Sequence, residues 1–357
     1  DEQPPGPGER LRLEWYRDAV AGPGTGNPRR KFLPSSAGES WFYFRQGLRK
    51  VMRIEKRSNG WKHLEMKQPF GVFGAGGQRL ATPRGALDAQ LIFVVEGGQW
   101  YWPPVRVGFR RELPGLGFAI ATLSVQPVVF SVQGFLRDSE CDEIIRAADS
   151  QMSSSPVVLM DKDKGKAAKE FRTSSQARVP RDKSPSLWAI DDRVGALMRI
   201  SKAHNEEAQI LRYNITNYYS AHLDNWDPQY YSDGAWFDHG HRNRLATVFW
   251  YLNNVSGGGQ TLFPRSDGYP QPQDMWSCAR GLKVQPVRGT VIVWYSLFPN
   301  GNTDPNGLHA ACPVETGVKW AANYWVWNKP RGREMVAPAA DLEEDAFALR
   351  QGARREL

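Results

Sequence analysis

The feature that most constrains the fold is a succession of strand-like runs in the C-terminal half of the chain. Each run is short, is rich in β-branched and aromatic residues, and is bounded by glycine, proline or asparagine. The runs cover residues 208–213, 245–252, 282–287, 290–295 and 319–327. Helix-like patterns precede them, and helices followed by strands predict an α+β protein in which a sheet or barrel carries the functional site.

The segment before these runs predicts one strand and two helices. Residues 128–132 are strand-like, and Asp138 or Ser139 can cap a helix whose first turn is acidic. Apolar residues at helical spacing predict a second helix over residues 185–200. These apolar residues are Leu187, Ile190, Val194, Leu197 and Met198. The charged stretch at residues 161–169 is typical of a loop.

The N-terminal third of the chain has a different pattern, in which glycine and proline interrupt short apolar and aromatic runs. The runs at residues 40–44, 50–54 and 90–95 are strand-like, and a Gly-Gly turn after the last one predicts a hairpin with the segment at Trp100. The Pro-Gly-Leu-Gly stretch at 114–117 predicts a linker. We therefore expect three regions. They are a β-rich N-terminal domain of unknown role at residues 1–118, a second domain at 119–330 that holds the candidate site, and a polar tail at 331–357 with a short helix near 341–351.

The composition argues against several classes of protein. A net charge of +8 and a pI near 9.4 permit polyanion binding. The basic residues are scattered, however, so we favour a solvated basic surface and expect no nucleic-acid partner. No apolar run approaches ~18 residues, so no membrane-spanning helix is expected. Residues 1–10 are polar, and we expect no signal peptide within them.

The cysteines and the sequons bear on the cellular compartment. The three cysteines, Cys141, Cys278 and Cys312, are too few for a disulfide-rich scaffold, and no Cys-x-x-Cys pair suggests zinc. One bridge with one free thiol and a fully reduced chain are both compatible with this count. Glycosylation sequons at Asn214 and Asn254 indicate a secretory route only weakly, because such triplets often arise by chance.

A histidine and an aspartate at strand spacing form the first candidate metal site. His222-Leu-Asp224 reads as an extended segment, where residues i and i+2 point to the same face and can hold one metal ion. His309, which precedes the last long run, is the candidate third ligand. Two imidazoles and one carboxylate on one face of an octahedron leave three positions open, and this donor set suits non-haem Fe(II).

The remaining histidines are weaker candidates. His239-Gly-His241 is a rival ligand pair, but it lies in an irregular aromatic stretch that we interpret as a mobile loop over the site. His63 and His204 are expected to be structural. Lys319 opens the last strand-like run, from which its ammonium group can bind an anionic cosubstrate as a point charge.

In these motifs the sequence resembles the prolyl 4-hydroxylases, especially the plant and algal peptidyl type. The resemblance covers residues 123–328, and its segments occur in the family's order. Together the segments are specific for this family, although no single segment is specific by itself. They include Phe171-Arg-Thr-Ser-Ser, Tyr219-Ser-Ala-His-Leu-Asp, Gly258-Gly-Gln-Thr-Leu-Phe-Pro and Leu308-His-Ala-Ala-Cys-Pro-Val-Glu-Thr-Gly-Val-Lys-Trp.

The resemblance implies a fold, a reaction and a set of site residues. The fold is a double-stranded β-helix, or jelly roll, with flanking helices. The reaction is hydroxylation of peptidyl proline at C4 with O₂ and 2-oxoglutarate, which releases succinate and CO₂. The implied cofactors are Fe(II), 2-oxoglutarate and L-ascorbate. The implied iron ligands are His222, Asp224 and His309. The residues implied to bind 2-oxoglutarate are Lys319, Tyr213, Thr261 and Trp325. The implied contacts with a proline-containing peptide are Arg172, Ser174, Glu206, Tyr219 and Arg244.

The resemblance also implies a bridge and a compartment. Cys278 and Cys312 fall where plant-type relatives are expected to form a disulfide, which leaves Cys141 unpaired. Relatives work in the secretory pathway, so we expect a glycoprotein of the endoplasmic reticulum or Golgi lumen. The terminal Arg-Arg-Glu-Leu is only loosely similar to a retrieval signal of the endoplasmic reticulum.

Departures from the family pattern bear on substrate choice. Gln260 replaces the usual glutamate, and Trp327 stands where the family often has a substrate-contacting histidine. The loop at residues 225–243 is long and aromatic. Three aromatics that we expect to pack against prolines of an extended chain are Tyr219, Tyr230 and Trp236. Three alternative functions remain: the same chemistry on another side chain such as lysine, a non-catalytic module that binds proline-rich peptides, and a nucleic-acid demethylase. Such demethylases usually anchor 2-oxoglutarate with arginine, whereas the candidate here is Lys319.

Overall fold

The computed structural model describes residues 10–17, 29–34, 41–52, 56–57, 66–67, 70–89, 91–231, 242–268, 272 and 274–331. The chain divides between Pro103 and Pro104 into two compact units. The second unit, Pro104–Arg331, contains every candidate site residue that the structure describes. Among the described helices, none has both the length and the apolar character needed to span a bilayer.

The first unit combines strands with two helices. Its elements are β1 (Arg10–Arg17), β2 (Arg29–Pro34), α1 (Trp41–Met52), β3 (Lys56–Arg57), β4 (Met66–Lys67), β5 (Phe70–Gly74), α2 (Pro83–Asp88) and β6 (Leu91–Glu96). Four strands form a sheet in the order β2-β1-β6-β5, in which β1 and β6 run parallel. Strands β3 and β4 form a separate pair.

Helix α1 occupies a segment that the sequence predicts to be two strands, and that prediction is wrong. Trp41, Phe44 and Leu48 are buried and pack into one cluster with Phe70 and with apolar residues of β5 and β6. Their spacing of three and then four residues places them on one face of a helix. The buried guanidinium of Arg45 lies 4.2 Å from the Phe70 ring centroid. This cation–π contact stabilises a buried charge, which the sequence pattern of a strand does not predict.

The hairpin predicted around Gly97 and Gly98 is also absent. Strand β6 pairs with β5 and β1 instead of with the segment that follows it. That segment is irregular, and its rings Trp100 and Trp102 are fully buried, with centroids 5.2 Å apart in an edge-to-face contact. The alternation of large aromatics therefore reflects burial of an extended segment rather than pairing with β6.

The second unit is mostly strands, with two longer helices. Its helices are α3 (Asp138–Asp149) and α4 (Pro185–Met198). Its strands are β7 (Arg110–Leu113), β8 (Phe118–Val125), β9 (Val128–Val132), β10 (Ser153–Ser154), β11 (Ser175–Val179), β12 (Ala208–Tyr213), β13 (Tyr219–His222), β14 (Arg244–Tyr251), β15 (Gly257–Gly258), β16 (Thr261–Phe263), β17 (Leu282–Val284), β18 (Val291–Tyr295), β19 (His309–Ala311), β20 (Val314–Thr316) and β21 (Lys319–Trp327).

The two larger sheets of this unit are antiparallel, which agrees with the jelly-roll expectation, and β15 and β20 form a separate antiparallel pair. The large sheet has the order β10-β11-β12-β21-β14-β18-β9-β8-β7, and the small sheet has the order β13-β19-β16-β17. One apolar cluster contains residues of both sheets, including Phe249 and Trp294 of the large sheet and Phe263 of the small one. The small sheet's alternate residues, such as Leu262 and Ala310, belong to a second cluster. The hydrophobic core next to the candidate site therefore lies between the two larger sheets.

The predicted linker at residues 114–117 is a hairpin turn. It joins β7 to β8, whose end residues Leu113 and Phe118 are paired, and Gly115 and Gly117 have φ values of 82° and 71°. Glycine adopts these left-handed conformations without steric cost, so the Pro-Gly pattern marks a tight turn here. Both strands belong to the large sheet, and the division between the units therefore comes before the expected boundary at residue 118.

The two predicted helices of this unit are present. Helix α3 begins at Asp138, and the Glu140 carboxylate accepts a hydrogen bond from the Arg137 backbone N–H at its start. Helix α4 begins at Pro185, with the Ser184 hydroxyl accepting the Leu187 N–H, and it ends at Met198, slightly before the predicted end. The strands at 208–213 and 319–327 match their predicted ranges.

Candidate active site

The candidate metal ligands come from two neighbouring strands of the small sheet. His222 is the last residue of β13 and His309 is the first residue of β19, and the two are paired across the ladder. Asp224 follows β13 by two residues. Antiparallel pairing thus brings together residues that are far apart in sequence, and it explains why one histidine ends a strand while the other begins one.

The three side chains converge on one point. One ligand atom from each of His222, Asp224 and His309 lies within 4.8 Å of the other two. The Nε2 atom of His222 is 3.9 Å from Asp224 Oδ1, and the Nε2 atom of His309 is 3.5 Å from Asp224 Oδ2. The two imidazole centroids are 4.3 Å apart. These separations are compatible with one ion accepting all three donors.

Backbone carbonyls orient both imidazoles. His222 Nδ1 is 2.8 Å from the Ser220 carbonyl oxygen, and His309 Nδ1 is 2.9 Å from the Gly307 carbonyl oxygen. A carbonyl can only accept, so each Nδ1 carries a proton and donates it, and each Nε2 is the nitrogen that faces Asp224. Burial, followed by the nearby His309, lowers the pKa of His222 to about 3, so its imidazole is neutral near pH 7.

Asp224 is fixed as an ionised carboxylate. The Thr247 hydroxyl donates to its Oδ2 over 2.6 Å, from strand β14 of the large sheet. Burial raises the pKa of Asp224, but the His309 and His222 imidazoles, the Arg244 guanidinium and the Thr247 hydroxyl outweigh this effect. The pKa therefore lies below its usual value. A neutral imidazole at His222 and an ionised carboxylate at Asp224 are the protonation states that a metal ion requires.

Lys319 is the buried cation of the interior. It is the first residue of β21, its side chain has no exposure, and its Nζ has no hydrogen-bond partner within the described residues. The Nζ lies 5.2 Å from the Tyr213 ring centroid and 5.4 Å from that of Phe249. Burial lowers its pKa to about 7. An ammonium group without a counter-ion is costly in an apolar interior, so this site fits an anionic guest.

The other residues expected at the cosubstrate lie on adjoining strands. The Tyr251 hydroxyl donates to Thr261 Oγ1 over 2.8 Å. The Tyr251 ring centroid lies 5.8 Å from the Lys319 Nζ. Tyr213 is paired directly with Lys319 across β12 and β21. Trp325 lies further along β21 and contacts the Arg244 guanidinium at 3.4 Å from its ring centroid. Of the other three expected residues, Tyr213 therefore lies beside the Lys319 ammonium and Thr261 beside its neighbour Tyr251, whereas Trp325 lines the cavity described next.

A cavity of about 350 Å³ opens onto two of the three candidate metal ligands. His222 and Asp224 line it, together with Tyr219, Arg172 and Arg244 from the expected peptide contacts. The Tyr219 ring stacks on the His222 ring, with centroids 3.5 Å apart. The Arg172 guanidinium lies 4.5 Å from the Tyr219 ring centroid. Arg172 is buried, and its Nη2 has no partner among the described residues. Burial raises the pKa of Tyr219 to about 12, so its phenol is neutral.

Two expected peptide contacts, Ser174 and Glu206, do not line the cavity but hold residues that do. The Ser174 hydroxyl accepts from Arg172 Nε over 2.8 Å. The Glu206 carboxylate accepts from Arg244 Nε and Nη2 at 2.7 and 3.1 Å, and from the Trp327 indole at 2.7 Å. Burial raises the pKa of Glu206, but Arg244 and the Trp327 hydrogen bond contribute to a net lowering. Trp327 thus stands behind the cavity.

The rival histidine pair lies outside the described residues, as do His63 and Trp236. His204 is buried, and its Nδ1 is 2.8 Å from the Trp327 carbonyl oxygen, which is a structural contact. Tyr230 is 43% exposed and does not line the cavity. The structure joins Cys278 and Cys312 in a disulfide and leaves Cys141 buried and free.

Some residues of the site were missed from the sequence. Thr247 holds Asp224, and Tyr251 holds Thr261. Both lie on β14, whose other residues after Arg244 are apolar or aromatic, and a hydroxyl in such a strand can indicate a buried polar role. Arg178 and Trp276 line the cavity from segments that carry no recognisable motif. No local sequence signal could have found those two.

Comparisons with known proteins agree with this geometry. A family model for the 2OG-Fe(II) oxygenase superfamily matches residues 208–327, which include all three candidate metal ligands and Lys319. The fold and the site therefore define a member of that superfamily.

Relatives at the sequence level narrow the assignment. The chain is 36% identical over 229 residues to probable prolyl 4-hydroxylase 6 of Arabidopsis thaliana, covering 63% of this chain and 77% of the relative. It is 33% identical to prolyl 4-hydroxylase 2 of the same plant, covering 58% and 69%. The chain belongs to the prolyl 4-hydroxylase family. The structure of a viral collagen prolyl hydroxylase from Paramecium Bursaria Chlorella virus-1 in complex with 2OG is 27% identical, with a TM-score of 0.41 and coverage of 56% and 95%.

Proposed function

We propose that this protein hydroxylates peptidyl proline at C4, using O₂ and 2-oxoglutarate and releasing succinate and CO₂. The observation that carries the proposal is a His-Asp-His group in the same interior as a buried lysine that has no partner among the residues the structure describes. The Trp294 ring links the two regions, because it lies 4.5 Å from His309 and 6.0 Å from Phe249, whose ring is 5.4 Å from the Lys319 Nζ. Membership of the prolyl 4-hydroxylase family supports the same reaction.

The donor set fits ferrous iron. His222, Asp224 and His309 would hold the ion, because their ligand atoms converge, both Nε2 atoms face Asp224 and the carboxylate is ionised. When bound, ferrous iron supplies the oxygen activation that hydroxylation of an aliphatic C–H bond requires. The chain's own part is to keep the imidazoles in one tautomer through their carbonyl partners and to keep Asp224 in place through Thr247. L-Ascorbate is proposed as the reductant that maintains the ferrous state.

Lys319 would bind the distal carboxylate of 2-oxoglutarate. Its ammonium group lacks a partner in the part of the chain that the structure describes, and a carboxylate would supply both a counter-ion and hydrogen-bond acceptors in this buried region. Thr261 and Tyr213 would complete this site from the two strands that flank it. The cosubstrate would thereby be oriented before the peptide arrives, which lowers the entropy cost of the reaction.

The cavity would position the substrate peptide. The unpartnered Nη2 of Arg172 can donate to a peptide carbonyl, and the Tyr219 ring offers an apolar face next to His222. Arg244 is held by Glu206 in a two-point contact, so its guanidinium is fixed at the cavity wall between the Trp226 and Trp325 rings, at 4.4 and 3.4 Å from their centroids. These residues would orient the proline ring and exclude water.

A reaction assay tests the proposal. Proline-rich peptides are incubated with the protein, Fe(II), ascorbate and 2-oxoglutarate, and mass spectrometry locates the added oxygen atom while succinate is measured in parallel. We expect equal amounts of hydroxyproline and succinate, and neither product from the Asp224→Ala variant. Oxygen added to lysine or another residue, with proline unchanged, would instead assign a different side chain as the substrate.

Two broader expectations remain proposals of the same kind. We propose that the protein works in the endoplasmic reticulum or Golgi lumen as a glycoprotein. The disulfide and the exposed sequon asparagines, Asn214 and Asn254, support this proposal. Glycosidase-sensitive mobility and co-fractionation with lumenal proteins would test it. We also propose that the N-terminal segment, ended at residue 103 where the units divide and not at the expected residue 118, folds as a β-rich domain, which expression of residues 1–103 alone and circular dichroism would test.

A further inference from the structure

The rim of the cavity carries two exposed apolar side chains that the proposed reaction does not yet use. Among the described residues that line the cavity, the large hydrophobic side chains with the greatest exposure are Trp276, at 50%, and Val158, at 60%. Both come from irregular segments, one after β16 and one after β10. Exposed tryptophan at the edge of a functional cavity is typical of a binding surface rather than of a solvated one.

Trp276 is held in place although it is half exposed. Its indole N–H donates to the Glu170 carbonyl oxygen over 3.1 Å, and its backbone N–H donates to Asp274 Oδ1 over 2.9 Å. The neighbouring Met275 carbonyl accepts the Ala221 N–H over 2.7 Å, next to the candidate ligand His222. The indole is therefore oriented before any ligand binds, and its polar atom is already satisfied.

The Cys278–Cys312 disulfide fixes the same segment at a second point. Cys278 follows Trp276 by two residues, and Cys312 directly follows β19, the strand that begins with His309. The Trp276 segment is thus attached to both strands that carry candidate metal ligands. A surface attached in this way keeps a constant distance from the reacting atom, which a specificity-determining surface requires.

Val158 lies within an uncharged stretch of the rim. Pro156, Val157, Val158, Leu159 and Met160 all line the cavity, and none carries a charge. A polypeptide cannot be enclosed in about 350 Å³, so the residues on either side of the reacting proline must leave the cavity across this rim. An extended proline-rich chain has no internal hydrogen bonds, and it binds other proteins through aromatic and apolar grooves.

We propose that Trp276, supported by Val158, is a specificity-determining residue that binds the segment of a proline-rich polypeptide next to the reacting proline. The inference rests on the proposed function, because the occupant is its substrate chain. Trp276 would act by contact with prolines outside the cavity and not by contact with the reacting ring. Long proline-rich substrates would then be preferred over short ones through KM, while kcat would depend on the interior residues.

The test compares a blocked tripeptide that contains one proline with a proline-rich decapeptide. For the Trp276→Ala variant we expect KM for the decapeptide to rise about tenfold, as for loss of one aromatic stacking contact, with KM for the tripeptide and both kcat values unchanged. Trp276→Phe should recover most of the effect. Val158→Ser should raise KM for the decapeptide about threefold without disturbing any hydrogen bond of the loop.

Trp188 provides a matched control. It is 46% exposed on α4, it does not line the cavity, and its ring contacts Lys202. Trp188→Ala should change KM for neither peptide. If Trp276→Ala leaves KM for the decapeptide unchanged, or raises KM equally for both peptides, the assignment is overturned. A fall in kcat with intact KM would instead show that Trp276 supports the His222 strand.

Calorimetric binding of the decapeptide without O₂ separates this inference from the proposed reaction. If the wild-type protein binds the decapeptide through Trp276 but does not hydroxylate it, the proposed reaction fails and the docking surface remains. If the wild-type protein hydroxylates both peptides equally well and binds both with equal affinity, the reaction remains and the docking surface is overturned. If it binds neither peptide, both are overturned.

Discussion

The interior of the second unit and the rim of its cavity differ in how their side chains are held. In the interior, the side chains around the candidate site are held by fixed partners: Thr247 holds Asp224 and Tyr251 holds Thr261 from another strand, and backbone carbonyls hold both imidazoles. At the rim, Trp276 and Val158 project from irregular segments and are half exposed or more. Chemistry that needs constant geometry therefore lies between paired strands, whereas contacts that can vary with the substrate lie on loops.

The same comparison applies to the buried charges. Glu206 and Arg244 are buried, and they satisfy each other through two hydrogen bonds. Lys319 is equally buried but has no partner among the described residues. A paired buried charge is explained by the folded chain itself, whereas an unpaired one indicates a missing counter-ion. Substitutions in the interior should thus affect cofactors and cosubstrate, and substitutions behind or around the cavity should affect stability or KM.

The largest effect is expected from removal of the carboxylate ligand. Asp224→Ala should lower hydroxylation about a thousandfold or more, because two imidazoles alone hold iron weakly. Equilibrium dialysis should show that the variant loses Fe(II) binding, and this readout does not depend on turnover. Thr247→Val is the matched variant, since it removes only the hydrogen bond to Asp224 and should retain iron with reduced activity. Full activity in Asp224→Ala would remove iron from the mechanism.

The next largest effect is expected at the cosubstrate. Lys319→Met keeps the length of the side chain but removes its charge, and KM for 2-oxoglutarate should rise about a hundredfold, as for loss of one partner of a buried ion pair. In the absence of cosubstrate, the same variant should melt at a higher temperature than the wild-type protein, because an unpaired charge no longer has to be buried. Lys283→Met, on the exposed part of β17, is the control and should change neither quantity. An unchanged KM in Lys319→Met would place the cosubstrate elsewhere.

The sequence predicted the interior far better than the rim. The strand pattern and the His-x-Asp motif gave the ligand-bearing segments, because paired strands impose a two-residue period that single residues can reveal. The partners of those ligands were missed, because Thr247 is recognisable only once its strand is known to face Asp224. Trp276 reaches the cavity through an irregular segment and a disulfide, and its position depends on tertiary contacts with Glu170 and Ala221.

The first unit shows the same limit in another form. Aromatic residues around Trp41 were predicted to form a strand, because both β-strands and buried helical faces favour large apolar side chains. The helix is decided by the spacing of Trp41, Phe44 and Leu48 and by burial of Arg45 against Phe70, and the latter is a long-range contact. Local propensity could not weigh that contact.

A smaller and graded effect is expected from pH. Burial lowers the pKa of Lys319 to about 7, so in the cosubstrate-free protein the ammonium form predominates below pH 7 and the neutral amine above it. A carboxylate binds the ammonium form, so 2-oxoglutarate binding above pH 7 requires uptake of a proton. The affinity should fall by up to about tenfold for each pH unit between 7 and 9.

Anaerobic calorimetry in buffers with different ionisation enthalpies would measure this proton uptake directly. Lys319→Arg retains its charge throughout this range and should bind 2-oxoglutarate with an affinity that hardly depends on pH. Dependence of equal steepness in Lys319→Arg would assign the titration to another group.

The smallest effect on activity is expected from Trp327, and it separates a residue behind the cavity from one that lines it. Trp327→Phe removes the indole hydrogen bond to Glu206 but keeps an aromatic ring beside Trp226, whose centroid is 5.6 Å away. The free energy of unfolding should fall by about 1–2 kcal/mol, as for loss of a buried hydrogen bond to a charged group. KM for a proline-rich peptide should change by less than about twofold, because Trp327 does not line the cavity. Urea denaturation and steady-state kinetics of the same preparation would measure both quantities. A large change in KM at unchanged stability would show that Trp327 contacts the peptide, as the family position predicts, and that the rim extends further than Trp276 and Val158.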